Sequence, residues 1–381
     1  MTIQTTDPPK ALEKHSFVSD PKYLNKAPLT PEQAQSLDEV KKRRAARKHL
    51  TADQMYAQNE KDVMGISAAF FCSILASKLI GQQAAEAFVQ MSYEIPDRPG
   101  YYTKGLADIP LVIMLISVIL FVRTFISIYL FSPLTRLLKI TNQRTINRFK
   151  EQSWQLMYGA FSFSYGIYLL KSNPDKVGFD NFWRKYPNLE LDYLTKFFYM
   201  LQLAFWASQM ITLFIEAKRS DFFIMLLHHF VTEFLIIYGY YTNSIFIGIA
   251  IHANMDAVDI FLPLSKLFKY ARFELGVNLS FAFMLVTWIY TRHYLLCRII
   301  YNVYIESPQH TTYLYDPSKG HYWTKGSRDA STIFLVALEI LCVVWLFQIF
   351  NVIRGIIRGK GTQDVRSDDE NDSSRKKKKT E

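Results

Sequence analysis

Apolar stretches long enough to cross a bilayer recur along the chain, and charge, proline and glycine collect in the short segments between them. The pattern predicts about eight spans, at roughly residues 63–85, 109–131, 154–170, 197–215, two within 217–270, 277–301 and 332–356. The first carries Lys78, Gln82 and Gln83 towards its end, and Pro96, Asp97, Arg98, Pro99 and Gly100 make the loop that follows. Only Tyr241, Thr242 and Asn243 part the fifth span from the sixth, which therefore read as a transmembrane hairpin. The fold class expected is an all-α integral membrane protein.

The hairpin departs from a plain apolar pattern. Its first span holds His228 and His229, and its second holds His252, Asp256 and Asp259. An aspartate at bilayer depth costs about 2.5 to 3.5 kcal/mol on insertion scales, so such groups need a reason to be there. His252, Asp256 and Asp259 are spaced to lie along one helical stripe, whereas adjacent His228 and His229 point about 100° apart. Polar glue between helices is the plainer reading of one histidine; two histidines and two aspartates on neighbouring spans favour a functional site.

Composition sharpens the picture. Of 381 residues 50% are hydrophobic and 15% aromatic, yet the net charge is +10, a combination of apolar spans with basic loops and tails. No zinc-finger or RNA-binding motif accompanies the charge, so nucleic acid is not an expected partner. The basic clusters at 41–48, 136–150, 218–219, 266–272 and 354–360 all fall on one side of an eight-span chain, which places both termini in the cytosol. Residues 1–60 read as a basic, partly disordered cytosolic arm without a signal peptide, and 61–135 as two N-terminal spans. Residues 359–381 form a charged tail with Ser367 before an acidic run, suited to an acid-directed kinase, and an ending, Lys378-Lys379-Thr380-Glu381, like a dilysine retrieval address of endoplasmic reticulum membrane proteins. Cys72, Cys297 and Cys342 lie in apolar spans without paired spacing and read as small hydrophobes.

The order His228, His229, Thr232, then Asp256, Asp259, Lys266 and Tyr270 in the next span, resembles the signature of the TLC-domain ceramide synthases. The upstream strings NRFKEQSWQLMYG and FWRKYPNLELDYLTKFFYMLQLAFW resemble the same family, so that the likeness covers 148–358. Met255, where many relatives carry histidine, resembles the fungal branch. The resemblance implies that the last six helices, 148–358, form a barrel-like catalytic domain. It implies transfer of a fatty acyl group from acyl-CoA, as co-substrate, to the 2-amino group of a sphingoid base, with no cofactor and no metal. His228, His229, Asp256 and Asp259 are the implied catalytic residues. Lys218, Arg219, Thr232, Trp206 and Met255 are the candidate substrate contacts, with His252, which is not at the family's third-histidine position. Membrane lipids, a second synthase copy or paralogue and a small single-span regulatory subunit are the implied partners, and the endoplasmic reticulum the implied location.

Rival chemistries fit the residues less well. Di-iron oxygenation needs many imidazoles, and the chain has 8 histidines in all. A zinc site from the His pair and the two aspartates stays open. A proton-coupled transporter would call for inverted repeats and broken helix pairs, which the sequence lacks. A non-catalytic TLC-type lipid sensor is the remaining alternative. For acyl transfer, a histidine takes a proton from the sphingoid ammonium, an aspartate holds the imidazole, and chain length is set towards the lumenal ends of spans five to eight.

Overall fold

The computed structural model describes residues 51–216 and 221–358. Residues 1–50 of the N-terminal arm, Lys218 and Arg219, Ser367 and the dilysine ending lie outside the described residues, whereas 52–60, expected in the arm, belong to the first helix. Eight long helices run α1 Ala52–Leu79, α2 Leu106–Leu137, α3 Gln143–Ser172, α4 Tyr193–Ile215, α5 Phe222–Tyr241, α6 Ile245–Tyr270, α7 Glu274–His310 and α8 Lys325–Ile357. Between them lie short helical turns and one two-stranded antiparallel pairing, Tyr101–Tyr102 with Leu191–Asp192.

Among the described residues, 7 of these helices are long and apolar enough to cross a membrane, by length and composition. The exception is α3. Its 30 residues span about 45 Å, but Lys150, Glu151, Gln152 and Ser153 are all buried in it, so its polar side faces protein and lowers its hydropathy. Asn142 caps it by accepting from the Thr145 N–H at 3.1 Å, and Asp192 caps α4 by accepting from Thr195 at 3.0 Å. The sequence places the first span at 63–85, whereas α1 begins at Ala52 and ends at Leu79, before Gly81 at φ +81. The expected turn between spans five and six is present, with Asn243 in the left-handed region at φ +61.

Six helices close into a ring, in the order α3, α6, α7, α8, α5, α4 and back to α3. Contacts between α3 and α4 complete it: the Tyr158 ring stacks on Phe205 at 3.4 Å, and Gln202 donates to Ser162. The two preceding helices lie outside, α2 against α4 and α1 against α2. Buried Glu60 ties α1 to this frame, accepting from Lys150 of α3 at 2.5 Å and from Ser127 of α2 at 2.6 Å.

One end of the ring is shut. Trp183 and Trp323 pack with centroids 4.4 Å apart, and Trp183 donates to Asn302 at 2.8 Å. Tyr186 donates to the Thr242 carbonyl at 2.7 Å, and Asn243 to the Gly320 carbonyl at 2.5 Å. The segments after α3 and α7 are thereby held over the α5–α6 turn. His321 takes part, its ring edge-on to Tyr186.

Candidate active site

All six ring helices contribute to one central cavity of about 120 Å³. His228 and His229 enter from α5, Asp256 and Asp259 from α6, Trp206 from α4, Gln155 and Tyr158 from α3, Arg292 from α7 and Trp345 from α8. Four of the five ionisable residues singled out in the hairpin, all but His252, therefore meet at one place. Two further cavities continue from it. Towards the start of α5 lies one of about 50 Å³, lined by His229, Glu151, Glu216 and Asp221. Towards the shut end lies a narrow, mainly apolar one of about 40 Å³, lined by His228, Trp206, Thr232, His252, Met255 and Tyr199 among others.

The histidine pair is held by ring contacts. The two imidazoles sit 5.7 Å apart at 81°, with the Trp206 ring 5.5 Å from His228 and 5.6 Å from His229. Trp345 covers the other flank of His228 at 5.2 Å. The Nδ1 of His229 lies 2.6 Å from the Met225 carbonyl, which only accepts, so in the neutral ring Nδ1 carries the proton and Nε2 the lone pair. His228 is buried and its Nδ1 has no hydrogen-bond partner. His229 reaches the outer and central cavities, and His228 the central and deep ones.

The aspartates are held otherwise than expected. Neither carboxylate is hydrogen-bonded to an imidazole. Asp256 accepts from Ser162 at 2.5 Å, and Ser162 in turn accepts from Gln202. Asp259 accepts from Arg292 at 3.1 Å, while Arg292 also donates to the Met255 carbonyl at 2.7 Å. The direct aspartate–imidazole contact expected from the stripe is thus replaced by two separate anchors. The backbone of α6 stays helical through Ala257, at φ −54 and ψ −42, and Pro263 follows Asp259 by one turn. Pro263 has no N–H to return to the Asp259 carbonyl. That carbonyl faces Gly159 of α3, where an added Cβ would stand 3.0 Å from its oxygen.

His252 follows the stripe but not the cluster. It lines the deep cavity, edge-on to Phe198 and Tyr199. Trp206 borders the central and deep cavities, and Thr232 and Met255 the deep one. Arg292, Ser162 and Gln202 were not anticipated. An arginine within span seven is itself an ionisable group at bilayer depth and could have been found by that rule. Its aim could not, because residues Trp288–Leu295 form a π-helical segment that breaks the 3.6-residue phase. Among the described residues, no group of three or more His, Cys, Asp and Glu side chains is placed to hold a metal ion.

A six-helix ring of mostly membrane-length helices with a His pair and two carboxylates at one central cavity defines a polytopic membrane protein with a buried polar site. The chain belongs to the TLC domain family, which it matches over residues 148–351. It is 30% identical over 315 residues to ceramide synthase FUM18 of Gibberella moniliformis, covering 75% of this chain and 73% of that one. It is 31% identical over 308 residues to sphingosine N-acyltransferase lag1 of Schizosaccharomyces pombe, covering 81% and 78%. Ceramide synthase hyl-2 of Caenorhabditis elegans is 28% identical over 290 residues, covering 72% and 88%.

Proposed function

We propose that this protein is a ceramide synthase, transferring a fatty acyl group from acyl-CoA to the 2-amino group of a sphingoid base. The observation that carries the reading is the meeting of His228, His229, Asp256 and Asp259 in a cavity that adjoins a deeper, mainly apolar one. A thioester with a long tail suits that arrangement: the tail lies in the deep cavity and the carbonyl stops at His228.

The reaction runs in two steps. An imidazole nitrogen of His228 attacks the thioester carbon, the C–S bond breaks, and CoA leaves as its thiol with the proton from the imidazole. The sphingoid ammonium then gives one proton to Nε2 of His229, and its amine attacks the acyl-imidazole carbon. The C–N bond to His228 breaks, and the second amine proton passes to the departing imidazole nitrogen as the amide forms. The division follows from position, since His229 faces the outer cavity and His228 the deep one. One blind tunnel accommodates an acyl chain more readily than two long chains at once, which favours the covalent route over direct attack. Asp256 and Asp259 hold the charge balance of the site through Ser162 and Arg292.

The eight helices then all cross the endoplasmic reticulum membrane, with both termini cytosolic and CoA approaching from that side. A second synthase copy or paralogue and a small regulatory subunit are its proposed partners.

The test is N-acylation by the purified chain with sphingoid base and acyl-CoA, read by mass spectrometry. Ceramide is expected from the wild type, and at least 100-fold less from His228→Ala and His229→Ala at equal melting temperature. No product from folded wild type would refute the function, and near-wild-type product from either variant would refute the catalytic role.

A further inference from the structure

The deep cavity is lined by five helices, α4 to α8. Its residues furthest from the histidines are Tyr199 on α4 and Gly248 on α6. The Tyr199 phenol crosses the interior between α5 and α6: a Cβ built on Gly248 would lie 1.9 Å from its oxygen, and one on Gly239 of α5 would lie 3.0 Å from it. Both glycines make room for one hydroxyl. That hydroxyl is buried in a side chain 1% exposed and has no hydrogen-bond partner.

The phenol ends against the backbone of two glycines and makes no hydrogen bond there, so what it contributes beside the cavity is the bulk of its ring. Behind the phenol the surroundings change from apolar to ionic. Tyr240, 5.8 Å from the Tyr199 ring, donates to Asp108 at 2.7 Å, and fully buried Lys196 pairs with Asp108 at 2.7 Å. Tyr199 therefore divides an apolar cavity from a buried charged layer.

We propose that Tyr199 is the stop of the acyl tunnel and sets the longest chain the site accepts. The proposal rests on the reading of the deep cavity as the acyl site. Gly239 lies eleven residues past His228 on α5, so the stop is about 16 Å below the reacting carbonyl. That depth holds roughly a dozen methylenes, given carbon–carbon bonds of about 1.5 Å laid in a zigzag. Leu235, Ile251 and Leu338 wall the interval and admit the chain by changing rotamer. A longer chain meets the phenol first and the Asp108–Lys196 pair next, where burying methylenes against unshielded charge is unfavourable. Removing the ring lengthens the tunnel by little more than the ring itself.

The experiment offers the purified full chain an equimolar series of saturated acyl-CoAs with a sphingoid base and reads the product chain lengths by mass spectrometry. Tyr199→Phe should keep the wild-type profile. Tyr199→Leu and Tyr199→Ala should move the longest accepted chain up by about two to four carbons, the length of the lost ring. Gly248→Ala, which drives the phenol into the cavity, should move it down. An unchanged cut-off in the leucine and alanine variants, or an equal loss at every length, would overturn the stop. Thermal stabilisation by each acyl-CoA is measured in parallel. If wild type forms no ceramide, N-acylation fails as a function, while the cut-off in stabilisation still reports on Tyr199.

Discussion

Replacing Arg292 by leucine removes the one guanidinium that lines the central cavity among the described residues. Arg292 is 5% exposed and joins Asp259 to the Met255 carbonyl, so the substitution strands a carboxylate and a backbone oxygen together. The Asp259 side chain keeps 39% of its surface open, facing the central and deep cavities, and water there softens the loss. Stranding a fully buried partner would cost about 3–5 kcal/mol, and for this half-open carboxylate about 2–3 kcal/mol is expected. Asp259→Leu should cost a similar amount by stranding the arginine. The double variant, which removes both charges, should be more stable than the sum of the singles predicts by about 2 kcal/mol. Thermal unfolding in detergent measures all four corners of the cycle. Ceramide formation should stay depressed about 100-fold in the double variant even where stability returns, because the charge at the site is gone. Additive losses of stability would refute the pairing, and recovered activity in the double variant would refute its use in the reaction.

Ser162→Ala removes the hydroxyl that Asp256 accepts from and should cost about 1–2 kcal/mol, with Ser162→Thr restoring part of it; equal melting temperatures for alanine and wild type would show that the contact adds nothing. Lys139→Cys and Asp175→Cys, at the two ends of α3, should label from opposite faces of sealed vesicles, and labelling from the same face would remove α3 from the crossing helices. Mass spectrometry after acyl-CoA alone should show an acyl adduct on wild type and on His229→Ala but not on His228→Ala; an adduct on the last would reverse the division of labour. Lys104, on the loop before α2, has its ammonium pushed from 10.5 down to about 7 by burial and by Lys196. A lowered folded value means that the unfolded chain binds more protons between those limits, so stability should rise with pH from about 7 to 10 and carry the full penalty below 7. Lys104→Met should flatten that rise, and parallel wild-type and variant melting curves across pH would exclude the effect.

Much of the fold was legible because its governing constraint is one-dimensional. A bilayer demands about 20 apolar residues per crossing, and the eight expected spans correspond to α1 through α8 with shifted ends. The shifts have causes that hydropathy does not register. In α1 and α3 the helix continues well outside the apolar window because buried pairs such as Glu60 with Lys150 hold the polar turns. The sequence places span three at 154–170, and α3 begins eleven residues earlier because Glu151 and Gln152 are buried within protein.

The site was legible in its members but not in its pairing. Ionisable residues at bilayer depth have few places to go except a shared interior, so charge and spacing alone bring His228, His229, Asp256 and Asp259 together. Which atoms meet depends on the rotation of one helix against the next, and a stripe on α6 says nothing of that. Gly159 lets α3 approach α6 at Asp259, Pro263 frees the Asp259 carbonyl, and the π-helical segment of α7 turns Arg292 inward. Together these spend both aspartates on neighbours other than the histidines. The imidazoles are left with a carbonyl on one and no partner on the other, so that in the neutral pair lone pairs remain free for an incoming carbonyl and an incoming amine. A direct aspartate–histidine bond would have favoured a charged imidazolium and removed one of those lone pairs.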